Sequence, residues 1–230
     1  MTQTVQLPKP AACRIRVRVA RDAQAAQLSQ LEQIRAFRKM AQDSGLPLAC
    51  SGGKHNLVKL SFGPAIAVGY ESEAEFVDIY LSAPATAAQA LERLRAGVSG
   101  GYAVLDVKKV PLNFPSVEAL VNVAEYEIRG DFSNPPQSLE QFLERAEIII
   151  EKVKPSGTRE SIDARPLIKS MRLESGAVSL TLRFGPKKNL KPERILQAWL
   201  DRPVCTDGGG CRIIRKQLYW EDAYGNLNAP

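Results

Sequence analysis

At 230 residues, 44% apolar and 24% charged, the chain has the make-up of an ordinary globular protein with room for one large domain or two small ones. No run approaches the ~18–20 apolar residues of a membrane span, and one histidine with four scattered cysteines excludes a His-rich metal site and a three-cysteine iron–sulfur motif. The net charge of +6 is uneven: residues 1–70 hold 10 Lys/Arg against 3 Asp/Glu, residues 71–230 hold 21 against 22, so an anionic partner is sought in the first third.

Residues 1–12 read as a disordered tail. From Cys13 to Val19 apolar and basic residues alternate strictly, which predicts a half-buried strand with Ile15, Val17 and Val19 inward and Arg14, Arg16 and Arg18 on the open face. Three like charges in a row either meet carboxylates across the sheet, the commoner case, or await a ligand. Ser29-Gln-Leu-Glu32 has the form of a capping box and starts a helix with Leu28, Leu31, Ile34, Phe37, Met40 and Ala41 at helical spacing. Gly45 and Pro47 end it. Strands are expected near 46–50, 58–62 and 75–81, then a helix opened by Thr86-Ala-Ala-Gln89 with Ala90, Leu91 and Leu94 inward, then a strand over 102–110.

Prolines at 111 and 115 break the chain, and a short helix is expected over 116–121. The order then repeats. A strand at 124–129 precedes a third capping box, Ser138-Leu-Glu-Gln141, with Leu139, Phe142, Leu143 and Ala146 as its buried stripe. Further strands are expected near 148–150, 161–164, 168–173 and 178–184. Pro192 begins a helix carrying Ile195, Leu196, Trp199 and Leu200, and 212–220 closes as a strand. The stretches 76–94 and 178–196 also resemble each other: alternating strand, proline-containing loop, capped helix. The expected fold class is α+β, as two tandem ferredoxin-like (βαββαβ-type) units with mainly antiparallel sheets. The first spans 13–112 and the second 123–220, with a connector at 113–122 and a C-terminal tail at 221–230.

Chemistry is sought first in Cys50-Ser-Gly-Gly-Lys-His-Asn-Leu-Val-Lys59. Adjacent glycines permit close backbone approach and an anion-binding nest, to which Lys54, His55 and Lys59 add charge and donors. The spacing matches neither a P-loop nor a dinucleotide fingerprint, and a plain hairpin turn explains it as well. Glu71, Glu73, Glu75 and Asp78 form an acidic cluster that pairs with these bases or binds a cation. Cys205 and Cys211 flank Thr-Asp-Gly-Gly-Gly, flexible enough for two thiols to meet, although reduced thiols are the default in a cytosolic protein.

Leu46-Pro-Leu, Lys59-Leu-Ser-Phe-Gly-Pro-Ala65, Gly69 and Glu71-Ser-Glu-Ala-Glu-Phe-Val-Asp78 resemble the radical SAM-linked (radical SAM-associated) protein family. Pro115-Ser116, Ala124-Glu-Tyr126, Asp163-Ala-Arg-Pro166, Pro192 and Arg215-Lys-Gln-Leu-Tyr219 extend the likeness over nearly the whole chain. The resemblance implies a bacterial domain of unknown function, adjacent or fused to a cobalamin-binding radical SAM protein. Two places depart from the family pattern. Gln30 stands where the family has His in Ser-His-Leu-Asp, and 52–58 replaces a loop that reads Gln-Gly-Phe-Asn-Pro-His-Pro. If those histidines do chemistry in the family, this chain is altered there; if they bind, it has changed ligand.

The expectation is a non-catalytic accessory protein that works with a radical SAM enzyme and binds its substrate, with RNA favoured by the basic first third. Arg14, Arg16, Arg18, Lys54, His55 and Lys59 are the anion contacts. A small enzyme acting on an anionic substrate at the 51–59 loop, with His55 and Glu71 or Glu75 as acid and base, is the alternative, and a structural interaction module is a third. No metal and no cofactor are expected. The opening MTQTVQLPKPAACRIRV lacks the charged-then-apolar pattern of an export signal, which predicts a cytoplasmic protein without membrane contact.

Overall fold

A computed structural model describes residues 7–52, 56–153, 157, 159–185, 189–204 and 210–230. It contains two compact units, the first running to Val121 and the second from Asn122 to Ala229.

In the first unit β1 (Cys13–Arg21), α1 (Gln30–Asp43), β2 (Leu60–Phe62), β3 (Glu71–Leu81), α2 (Ala87–Gly97) and β4 (Tyr102–Val110) precede a short α3 (Val117–Leu120). The strands lie in the order β4-β1-β3-β2, every pair antiparallel. Alternation on β1 decides which face becomes the core. Ile15, Val17 and Val19 have no exposed surface and pack with Val77, Ile79 and Leu81 of β3 and with Phe37, Met40, Ala90 and Leu94 of the two helices. Burial of this kind, about 1.5–3 kcal/mol per large side chain, is the main driving force for the unit.

The second unit repeats the plan with an insertion. Its elements are β5 (Val123–Gly130), α4 (Leu139–Leu143), β6 (Ile149–Val153), β7 (Arg159–Asp163), β8 (Ile168–Glu174), β9 (Ala177–Arg183), α5 (Pro192–Leu200), β10 (Cys211–Glu221) and β11 (Leu227–Asn228). The order β10-β5-β9-β8 reproduces that of the first unit, again antiparallel, with β6 and β7 forming a separate hairpin. The internal likeness of 76–94 to 178–196 thus falls on equivalent elements, β3 with α2 and β9 with α5. The fold class is α+β.

All three capping boxes form. Ser29, Thr86 and Ser138 each accept a backbone N–H from the residue three positions on, whose side chain reaches back to the cap. The helix faces are less faithful to the sequence pattern. In α1 the buried residues are Gln33, Phe37, Met40 and Ala41, while Leu31 is 56% exposed. In α4 only Phe142 is buried. In α5 the expected Ile195, Leu196, Trp199 and Leu200 are all buried.

Other expectations are revised. The stretch 46–50 is not a strand: it makes single bridges, Leu48 to Leu81 and Cys50 to Val58 and Lys9. β3 begins at Glu71, so the acidic cluster sits on a strand, and Leu227–Asn228 pairs with β10. Cys13 and Cys50 carry free thiols. Cys211 is disulfide-bonded, against the default of reduced thiols; Cys205 lies outside the described residues. No helix among the described residues is long and apolar enough to cross a membrane.

Candidate functional site

The second face of the first sheet carries the charge. Antiparallel register ranks its side chains in rows: Lys108, Arg16, Asp78 and Ser61 form one, and Val110, Arg14 and Tyr80 another. Lys59 joins the second row, since its carbonyl accepts from Tyr80 N–H at 3.2 Å and its ammonium lies 4.6 Å from the Tyr80 ring centre. A third row holds Asp106, Arg18 and Phe76.

Asp78 is the hub. Arg16 donates from Nε to Oδ1 at 2.7 Å and from Nη2 to Oδ2 at 2.9 Å, a bidentate fork of the strongest kind available to these groups. Arg14 Nη1 lies 3.5 Å from Oδ2 of the same carboxylate and donates to the Tyr80 hydroxyl at 3.4 Å. Arg14 and Arg16 are 2% and 1% exposed and Asp78 is fully buried.

The segment 111–115 lies over the two guanidiniums. Arg14 Nη2 donates to the carbonyls of Pro111 at 2.7 Å and Phe114 at 2.6 Å, and Arg16 Nη2 donates to Pro115 O at 3.0 Å. The Phe114 ring sits over Arg16, 5.8 Å from ring centre to guanidinium carbon.

The arginine ladder does meet a carboxylate across the sheet, the commoner case for like charges in a row, and only its expected open face is corrected. Arg14 and Arg16 do not stand on an open face; they pair across the sheet and are covered. Arg18 is half-buried and donates to Glu73 O at 2.6 Å. Lys59 is exposed, as is Lys108. The Lys108 ammonium has its pKa pushed down, by desolvation first and then by the charge of Arg16. Lys54 and His55 lie outside the described residues.

The acidic cluster is divided by the pleat, which sends alternate residues of β3 to opposite faces. Asp78 meets the arginines. Glu75 points to the core side, where it accepts from Gln33 Nε2 at 2.7 Å; Gln33 Oε1 in turn accepts from Arg21 Nη1 at 2.7 Å. Arg21 also donates to Ala26 O at 2.7 Å. The buried Tyr102 ring stands edge-on to Phe37, 5.2 Å between centres. Burial raises its phenol pKa, Arg21 opposes this, and Glu75 and Glu32 add to it. Glu71 is half-buried.

Sequence reasoning missed Gln33, Arg21 and Tyr102 as a polar cluster. The available signal was a glutamine one position from Ile34 on the helix, too weak alone to place it inside. In the second unit Glu221 is held by two cations. It accepts from Arg183 Nε and Nη2 at 2.6 and 2.8 Å and from Lys169 Nζ at 2.7 Å, which lowers its pKa to about 2. Among the described residues no group of three His, Cys, Asp or Glu is placed to hold a metal ion.

Fold and site together define an α+β protein of two βαββαβ units, the first with a basic sheet face organised on one buried aspartate. The model of a bacterial family described as "uncharacterized protein conserved in bacteria" (DUF2344) matches residues 14–192, and the chain belongs to that family. No curated protein matches the sequence.

Proposed function

We propose that this chain is a non-catalytic accessory protein that works with a radical SAM enzyme and holds an anionic substrate, RNA first, on the basic face of its first sheet. The observation that carries the reading is the charge of that face. Lys59, Arg14, Arg16, Arg18 and Lys108 share it with two carboxylates, Asp78 and Asp106. Lys59 and Lys108 present their charges outward, while Arg14 and Arg16 supply a positive field from below. The link to a radical SAM partner rests on the family resemblance, and three of the stretches that carry it, 59–65, 71–78 and 115–116, supply Lys59, Ser61, Asp78 and Pro115 to this face.

Binding by such a face releases counterions, so affinity for single-stranded RNA falls with salt, by a slope of about −0.7 per phosphate neutralised. Fluorescence anisotropy with tRNA and rRNA fragments at low and high salt measures this. Affinity that is absent, or the same at both salt concentrations, rejects RNA as the ligand. Affinity purification from native lysate tests the partner: recovery without any radical SAM protein counts against the pairing.

A further inference from the structure

We propose that Arg14 and Arg16 form a phosphate-binding site, kept covered by the segment 111–115 and opened when a phosphate group replaces the carbonyl oxygens of that segment. This rests on the reading of the face as an anion holder and specifies its ligand and its gate.

Four observations carry it. Two guanidiniums share a single carboxylate in a place almost without exposed surface, which leaves one positive charge uncompensated among the three groups. Arg14 Nε and Arg16 Nη1 are buried there without a hydrogen-bond partner. Buried donors are paired in nearly all folded proteins, so two orphans on adjacent cations mark an unfilled demand for acceptors. The three contacts that cover the pair come from the carbonyls of Pro111, Phe114 and Pro115, which accept from the guanidiniums but bring no negative charge to balance them.

The cover is also cheap to lift. Residues 111–115 belong to no strand or helix and are all exposed. Leu112 and Phe114 are 45% and 40% exposed, so both already meet water in part. Arginines two apart on a strand stand about 6.6–6.8 Å apart along it, a spacing at which two forks converge on the oxygens of one tetrahedral group. A phosphodiester of RNA and a free phosphate offer the same oxygens.

The test uses the full chain, with inorganic phosphate in calorimetry and a single-stranded RNA decamer in anisotropy, at constant ionic strength. Phe114→Gly removes the ring over Arg16 and loosens the cover. Raising the open fraction tightens apparent affinity in proportion, and a gain of about fivefold or more is expected. Adding Arg14→Lys keeps the charge, removes the fork and abolishes the gain. A gain with phosphate alone assigns a small phosphate compound, and a gain with RNA assigns a phosphodiester chain; both support the site. Phe114→Gly binding no tighter than wild type, or a gain that survives Arg14→Lys, overturns it.

Hydrogen exchange of wild type provides a readout independent of the variants' folding. Saturating phosphate is expected to speed exchange at the Phe114 amide, which donates to Pro111 O at 3.1 Å, and unchanged exchange overturns the gate. Wild-type RNA affinity tests the accessory reading, whereas the difference between wild type and Phe114→Gly tests the cover, so each fails separately.

Discussion

Asp78 lies directly opposite Arg16 on the neighbouring strand and accepts both Nε and Nη2 of its guanidinium, at 2.7 and 2.9 Å, with no exposed surface of its own. The pair, with Arg14 beside it, organises the whole second face of the first sheet.

Removing the carboxylate leaves two buried cations facing each other. Asp78→Ala is expected to destabilise the chain by about 3–5 kcal/mol, read as a lower urea midpoint. The double change Asp78→Leu with Arg16→Met restores part of that loss, because an apolar pair avoids the desolvation that the ion pair must offset. A double variant no more stable than Asp78→Ala contradicts this account.

Glu221 carries a stability term with a defined pH window. Its folded pKa, about 2, lies below the ordinary 4.5, so the unfolded chain binds its proton first. The contribution is complete above pH 4.5 and is lost as pH falls from there toward 2. Arg183 is 41% exposed and solvent screens the pair, so Glu221→Gln is expected to cost roughly 1 kcal/mol at pH 7. Melting temperatures of the two proteins measured from pH 7 to pH 2.5 should converge on the acid side.

The capping box of α1 is predicted to matter on its own. Ser29→Ala removes the hydroxyl that accepts Glu32 N–H at 3.4 Å and donates to the Glu32 carboxylate at 2.6 Å, leaving that carboxylate only the backbone N–H of position 29. The expected cost is about 1 kcal/mol in chemical denaturation, with Ser29→Asp recovering most of it.

Gly101 and Gly100 separate backbone strain from crowding. Both have positive φ, +81 and +68. A Cβ at Gly101 would collide with the Asp22 carboxylate and lie 2.8 Å from Ala25 N, whereas one at Gly100 meets nothing within 4 Å. Gly100→Ala should cost about 1–2 kcal/mol, the left-handed penalty alone. Gly101→Ala should cost more, because Asp22 also accepts the N–H groups of Gln24 and Ala25. Equal melting temperatures for the two variants would refute the crowding term.

Much of the local structure could be read in the chain. Alternation from Cys13 to Val19 identified β1 and the inward face of the first unit, the three boxes at Ser29, Thr86 and Ser138 marked helix starts, and 102–110 matched β4 at both ends. These are short-range signals, in which a backbone group finds its partner within a few residues. The α1 face was misread because Gln33 is drawn inward by Glu75 and Arg21, 42 and 12 positions away.

By itself, then, the sequence determined the period of β1, β4 and α5, the basic character of the first third and the two-unit α+β plan. It also determined that Arg14, Arg16 and Arg18 share one side of a strand. Only the tertiary structure decided that the first two of these would be buried. Their partners, Asp78 and the carbonyls of 111–115, lie 62 to 100 positions along the chain and are brought in by strand order and loop closure. Whether a charged side chain meets water, a carboxylate or a main-chain oxygen depends on what packs over it, which no local pattern encodes.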